Sequence, residues 1–190
     1  MSKDLMFKDE VQQLVADAYR ALDAPGGPAA RHYTDGQLAA LPDGAREWLL
    51  GVGNPTAWAG LRPGEDVADL GCGAGPDTIL AAREIGAGGH ATGIDLLPEM
   101  VERARANAAA AGLDNVTFLQ GEIEDVPLAD GSVDVVLANG TINLSARKSR
   151  VLAEAHRILR PGGRLCAPDL TIREDELPTE VLTHPAAWAG

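Results

Sequence analysis

Cysteine is scarce in this chain, which has only Cys72 and Cys166. The two lack metal-ligand spacing and form no CxxC pair, so neither a structural zinc site nor a disulfide framework is expected. Basic residues are outnumbered, 16 Lys and Arg against 28 Asp and Glu, for a formal net charge of -12. Binding to nucleic acid needs a basic face that neutralises phosphates, and an anionic membrane surface repels an acidic chain, so neither is an expected partner. No apolar run approaches the roughly 20 residues that cross a bilayer. The start of the chain, with Lys3, Asp4, Lys8, Asp9 and Glu10, lacks the apolar stretch of a signal peptide, which makes the cytoplasm the expected location. His32, His90, His156 and His184 show no metal-binding spacing.

What remains is a globular composition, 45% hydrophobic over 190 residues, enough for one domain with a real core. Phe7, Val11, Leu14, Val15, Ala18, Tyr19 and Leu22 recur at helical spacing, and Pro25 to Pro28 ends that helix. Short helices are expected at 37–41, 45–50 and 55–60. Residues 1–60 are too few for a core of their own and read as a helical cap on an α/β domain, 61–190. There, strands at 66–70, 91–95, 116–119, 133–138 and 164–167 alternate with helices at 78–85 and 98–111 and one from a Ser145 cap to Leu159. Pro161, Gly162 and Gly163 read as a turn before the last strand. This alternation predicts a doubly wound, mostly parallel sheet with helices on both faces.

One loop carries chemistry. Asp69-Leu70-Gly71-Cys72-Gly73-Ala74-Gly75 leaves the first strand and enters a helix. Its glycines permit a tight turn and close approach of a ligand, and the helix start favours a negative group such as a carboxylate. A glycine loop alone also fits a turn without a ligand. Dinucleotide loops usually carry an apolar residue where Asp69 stands. Asp95, at the end of the second strand, is placed either to accept from ribose hydroxyls or to cap the following helix. Glu122 or Glu124, with Ile123 between them, is placed to meet an adenine, while Glu124 alone reads as part of a solvated acidic loop. Asp77, Leu96 and Met100 complete the candidate cofactor residues.

Val67 to Gly75, Gly93-Ile94-Asp95, Asn115 to Phe118 and Leu159 to Leu165 together resemble the class I S-adenosylmethionine-dependent methyltransferases, over roughly residues 30–190. The resemblance implies a Rossmann-like fold, S-adenosylmethionine as cofactor with S-adenosylhomocysteine as product, and Asn139 on the cofactor or acceptor side, with Asn143 a weaker candidate. Gly51 to Pro55, Asn139 to Leu144 and Pro185 to Gly190 are similar to stretches of the arsenite methyltransferases. That family holds arsenic through thiolates, and the resemblance places cysteines at Val52 and Gly140 and just beyond Gly190. Val and Gly cannot supply them, since a soft centre needs soft ligands. Cys72, in the loop, is expected against the nucleotide, and Cys166 in a buried strand. A small-molecule acceptor other than arsenite is therefore expected. Tyr33 is a candidate catalytic residue with Asn139, and His32 and Asp35 are further acceptor-side groups that also read as plain surface residues.

The resemblance implies seven strands, the last two a hairpin, whereas five are evident and no strand-like run follows Asp169. The fifth strand is then an unpaired edge that invites a homodimer. The missing hairpin and thiols also leave a second reading, a non-catalytic relative that binds the nucleotide or a partner chain.

Overall fold

The computed structural model describes residues 3–22 and 26–171. The expected similarity at Pro185 to Gly190 lies outside the described residues. Helix α1, Lys3–Arg20, comes first, followed by three short helices, α2 (Asp35–Ala40), α3 (Asp43–Glu47) and α4 (Pro55–Trp58). Strand and helix then alternate: β1 (Asp66–Leu70), α5 (Pro76–Ile85), β2 (His90–Asp95), α6 (Pro98–Ala110), β3 (Val116–Gln120), β4 (Val133–Leu137), α7 (Lys148–Ile158) and β5 (Leu159–Cys166). The five strands form one sheet in the order β3-β2-β1-β4-β5, and every pairing is parallel.

Parallel strands covered on both faces must be apolar along their length. Val67, Ala68 and Leu70 of β1 and Val133, Val135, Val136 and Leu137 of β4 are all buried. The polar exceptions are informative. Asp134 accepts from the backbone of Asp66 at 2.8 Å and from Arg160 at 2.6 Å, which satisfies it at the sheet's amino-terminal end. Asp69 lies at the other end, at the cavity described below.

The cap and the sheet share a core. Tyr33, Leu41, Ala45 and Leu49 cluster with Ile79 and Leu80 of α5, Val101 and Ala104 of α6 and Phe118 of β3. Thr34 fixes the start of α2 through a capping box with Gln37, and Asn54 caps α4 by accepting from Ala57.

Four expectations are corrected. Helix α5 begins at Pro76 rather than at 78, because proline is preformed for the first helical position. Asp77 thereby enters the first turn. Helix α7 begins at Lys148; Ser145 does not cap it but accepts from the Arg147 amide at 2.9 Å, after a 3-10 turn at Ile142–Leu144. Pro161, Gly162 and Gly163 lie inside β5, where the ladder with β4 shifts register between Val133 and Val135. An edge strand with a bulge tolerates a proline that donates no ladder hydrogen bond. Finally, Leu14 and Leu22, assigned to the apolar stripe of the first helix, are exposed, and its inward face carries Val11, Val15, Ala16 and Tyr19. No helix among the described residues is long and apolar enough to cross a membrane.

Candidate cofactor site

The strand order reverses between β1 and β4, since β2 and β3 lie on one side and β5 on the other. Such a switch point leaves a crevice at the strands' carboxyl ends. The loop after β1 lines it. The amides of Gly71 and Cys72 both donate to the Ile94 carbonyl, at 2.8 and 3.0 Å, so the loop folds back over the end of β2. A side chain at Gly71 would collide with Thr141, whose hydroxyl donates to the Leu70 carbonyl at 2.8 Å. Gly71 also has a φ of 73°, in the left-handed region that favours glycine. Gly73 has open space where a Cβ would stand.

Two buried carboxylates and a half-buried one surround this crevice. Asp69, 2% exposed, accepts from the Thr78 hydroxyl at 2.6 Å. Asp77, 5% exposed, accepts from the Tyr33 hydroxyl at 2.8 Å and from the Asn139 amide at 2.9 Å. Asp95 accepts from the amides of Gly73 at 2.8 Å and Leu97 at 2.9 Å, one on each oxygen. The Leu97 bond shapes the turn into α6, and each carboxylate oxygen keeps capacity for a further donor. Burial, and then the charge of Asp77, push the Asp69 carboxyl up to about 8. Burial lifts Asp77 to about 6 against the Asn139 and Tyr33 hydrogen bonds. Burial likewise raises Asp95.

Asn139 joins the cap to the sheet. Its Oδ1 accepts from the amides of Val52 and Gly53, at 2.9 and 3.1 Å. Its Nδ2 faces the Tyr33 hydroxyl, the Gly53 carbonyl and Asp77, at 3.1, 3.0 and 2.9 Å. A side chain at Gly51 would collide with it. Burial, reinforced by Asp77, raises the Tyr33 phenol far above its ordinary value, so it stays a neutral donor.

One cavity brings together Asp69, Gly71, Cys72, Gly73, Asp77, Asp95, Leu96, Met100, Glu122, Ile123, Asn139 and Tyr33. Gly75 stands outside the lining as the residue before α5. His32 and Asp35 are outside it too. Asn143 is held by Asp169 at 3.0 Å. Cys72 belongs to the core cluster with Ile79 and Phe118, and its side chain points at the position a Cβ of Gly93 would take. Cys166 is half-buried, against the expectation of full burial, because β5 is an edge strand. Glu124 is corrected more sharply: it is 6% exposed, accepts from the Ser145 hydroxyl at 2.6 Å and lines the cavity. Glu122 pairs with Lys8. The sequence reading missed the contributions of Gln12, Val15 and Tyr19 from α1, of Trp48 to Leu50, and of Thr141 and Ser145. Helical spacing marked the α1 stripe but not what it covers.

A parallel sheet whose glycine loop folds over the switch point, with an acid ending the second strand, defines a cofactor-binding α/β domain of the Rossmann-like methyltransferase class. The methyltransferase domain family matches residues 61–189, and the chain belongs to that family. Within it, the chain stands close to the S-adenosylmethionine-dependent arsenite methyltransferases. The arsenite methyltransferase of Halobacterium salinarum is 44% identical over 158 residues, 83% of this chain and 40% of that protein. The Homo sapiens arsenite methyltransferase is 37% identical over 131 residues, 64% of this chain and 35% of that protein. The crystal structure of an arsenic(III) S-adenosylmethionine methyltransferase from Chlamydomonas reinhardtii superposes with a TM-score of 0.71 at 41% identity, covering 84% of this chain and 54% of that one. The chain thus spans less than half the length of these curated relatives.

Proposed function

We propose that the chain binds S-adenosylmethionine in this cavity and transfers its methyl group to a small-molecule acceptor. The observation that carries this reading is the charge of the lining. Asp69, Asp77, Asp95, Glu122 and Glu124 face the cavity, and no Lys, Arg or His among the described residues does. A pyrophosphate-bearing dinucleotide would meet these carboxylates with no cationic side chain among the described lining residues to offset them. A nucleoside that carries an ammonium and a sulfonium instead neutralises buried carboxylates that otherwise repel one another. The residues present therefore fit the cofactor. Asp95 would hold the ribose hydroxyls, Ile123 the adenine, and the loop with Asp69 the amino acid end. Bound there, the cofactor supplies an electrophilic methyl group for in-line displacement. The chain's part is to align the reactants and exclude water, with Tyr33 and Asn139 fixing the shape of the wall beside Asp77.

Among the described residues, Cys72 is the one thiol that lines the cavity, and it stands in the glycine loop. Val52 and Gly140, the positions at which the resemblance to arsenite methyltransferases places cysteines, lie against each other; a Cβ on Gly140 would stand 3.4 Å from Val52 Cγ1. Cys166 Sγ faces the Pro55 carbonyl at 3.6 Å. These contacts support an acceptor other than thiolate-held arsenite.

Calorimetric titration with S-adenosylhomocysteine and with NAD+ tests the reading. The expected result is micromolar binding of the first alone, weakened about tenfold by Asp95→Ala, which corresponds to about 1.4 kcal/mol. Binding of NAD+, or no binding of S-adenosylhomocysteine by the folded chain, would overturn it.

A further inference from the structure

We infer that α1 is part of the cofactor site, with Gln12 and Tyr19 contacting the nucleoside half of the ligand and two ion pairs holding the helix over it. This rests on the cofactor reading above and extends it to a helix outside the glycine-loop framework.

The argument begins with one helix face. Lys8, Gln12, Val15 and Tyr19 follow at spacings of four, three and four, which places them on one side of α1. Gln12, Val15 and Tyr19 line the cavity. Ala16, one turn before Arg20, packs with Trp48, Ala74, Leu97 and Met100 and sets the helix down on the loop and on the start of α6.

The two ends of this face are tied to opposite ends of the crevice. Lys8 pairs with Glu122, in the loop after β3. Arg20 pairs with Glu99 of α6 at 2.7 Å. Lys8 to Tyr19 spans about 16 Å at 1.5 Å per residue. The helix therefore crosses from the loop after β3 to the end of β2, the stretch that the adenine and ribose would occupy. Each pair is at least partly exposed and contributes little to stability by itself. Together they fix where the helix lies.

Two polar groups on this face, Gln12 and Tyr19, line the cavity. The Gln12 carboxamide is half-buried at the cavity and makes no hydrogen bond among the described residues. Tyr19 lies close enough to Asp95 for that carboxylate, after burial, to raise its phenol. The phenol therefore stays neutral and can donate to, or accept from, a ribose hydroxyl held between it and Asp95. An amide that both donates and accepts, beside a neutral phenol, suits the mixed edges of a nucleoside better than the charged amino acid end.

Binding of S-adenosylhomocysteine and of adenosine, each measured by calorimetry, separates the possibilities. Adenosine is the probe for the nucleoside half. The variants are Gln12→Ala, Tyr19→Phe and the double substitution Lys8→Ala with Arg20→Ala. Alanine is a better helix former than glutamine, so loss of α1 is not the expected effect of the first; circular dichroism checks the fold of all three. A loss of about three- to tenfold for both ligands in Gln12→Ala or Tyr19→Phe, on the scale of one hydrogen bond, supports the inference. The double variant is expected to release S-adenosylhomocysteine faster and to lose the salt dependence of that rate. Unchanged affinities and rates in all three variants, while the wild-type chain binds both ligands, would overturn the inference and leave the cofactor reading standing. A folded wild-type chain that binds neither ligand overturns the cofactor reading itself.

Discussion

Thr78 Oγ1 donates to Asp69 Oδ2 at 2.6 Å, a bond from the first turn of α5 back to the end of β1. Among the described residues it is the one side-chain donor to a carboxylate that burial and a neighbouring acid otherwise push towards protonation. Replacing Thr78 by Val keeps the shape and removes the hydroxyl. The chain should lose about 1–3 kcal/mol of stability if Asp69 stays ionised, and less if it becomes protonated. Denaturant unfolding at pH 6 and pH 9 distinguishes the two, with the larger loss expected at pH 9.

Asp69 also sets a pH dependence. Its carboxyl titrates at about 8 in the folded chain, well above the usual carboxylate range. Between that ordinary range and about 8 the folded state holds a proton that the unfolded state has released. The sign follows: this group's contribution to stability falls as pH rises through that window. Asp69→Asn should flatten the decline and raise the melting temperature of the ligand-free chain at pH 8. It should also weaken S-adenosylhomocysteine, whose ammonium it no longer meets. Thermal unfolding from pH 5 to pH 9, with and without ligand, measures both.

A cationic ligand binds best to an ionised Asp69 and Asp77. Affinity for S-adenosylmethionine should therefore increase from pH 6 to pH 8, with a proton released on binding. Calorimetry at pH 7 in buffers of different ionisation enthalpy reads that proton directly. Zero net release would contradict the assignment of Asp69 to the site.

Asn139 is expected to be intolerant. Asn139→Asp replaces the amide that donates to Asp77 with a second carboxylate, while the amides of Val52 and Gly53 keep their acceptor. The expected result is an Asp77 carboxyl raised further and cofactor binding lost by about tenfold or more near neutral pH. A less acidic medium should lessen the loss, since Asp77 then ionises again and meets the cationic ligand. Asn139→Ala should instead destabilise the chain by about 1–3 kcal/mol, through the unpaired amides of the 51–53 loop.

Away from the site, Glu154 is 2% exposed, bound by Arg157 at 2.7 Å and by the Val126 amide at 2.9 Å. Arg150 also lies 3.1 Å from Glu154, so the carboxylate keeps one cation, and Arg157→Ala should lower stability by about 1–3 kcal/mol. At a saturating ligand concentration its cofactor affinity should match that of the wild type. Chemical denaturation and titration below the melting temperature check the two halves separately.

Much of this was legible in the residues. Strand β4 announced itself because a strand buried on both faces must be apolar, and β1 to β3 because each is a short run that ends at Gly71, Asp95 or Gly121. The glycine loop and Asp95 were legible because their spacing reflects backbone geometry. What escaped depended on distant partners. Glu124 read as solvated because nothing near it in sequence suggests burial; its hydroxyl donor, Ser145, is 21 residues away. Pro161 to Gly163 carry every local signal of a turn, and they sit in the irregular stretch of the ladder, between the pairs Val133–Leu159 and Val135–Arg164, with strand on either side. The role of α1 was hidden for the same reason, since periodicity tells that a helix has an inner face but not what that face meets.

The all-parallel sheet has one more consequence. No strand can pair with its neighbour until the chain has made an excursion and returned, and the longest return joins β1 to β4, where Asp66 and Asp134 bond across 68 residues. Closing that loop carries the largest loop-closure entropy in the sheet. The crevice between β1 and β4 exists only once that return is complete. A ligand seated there thus requires β1 and β4 to be paired, which makes its binding a reporter of that return.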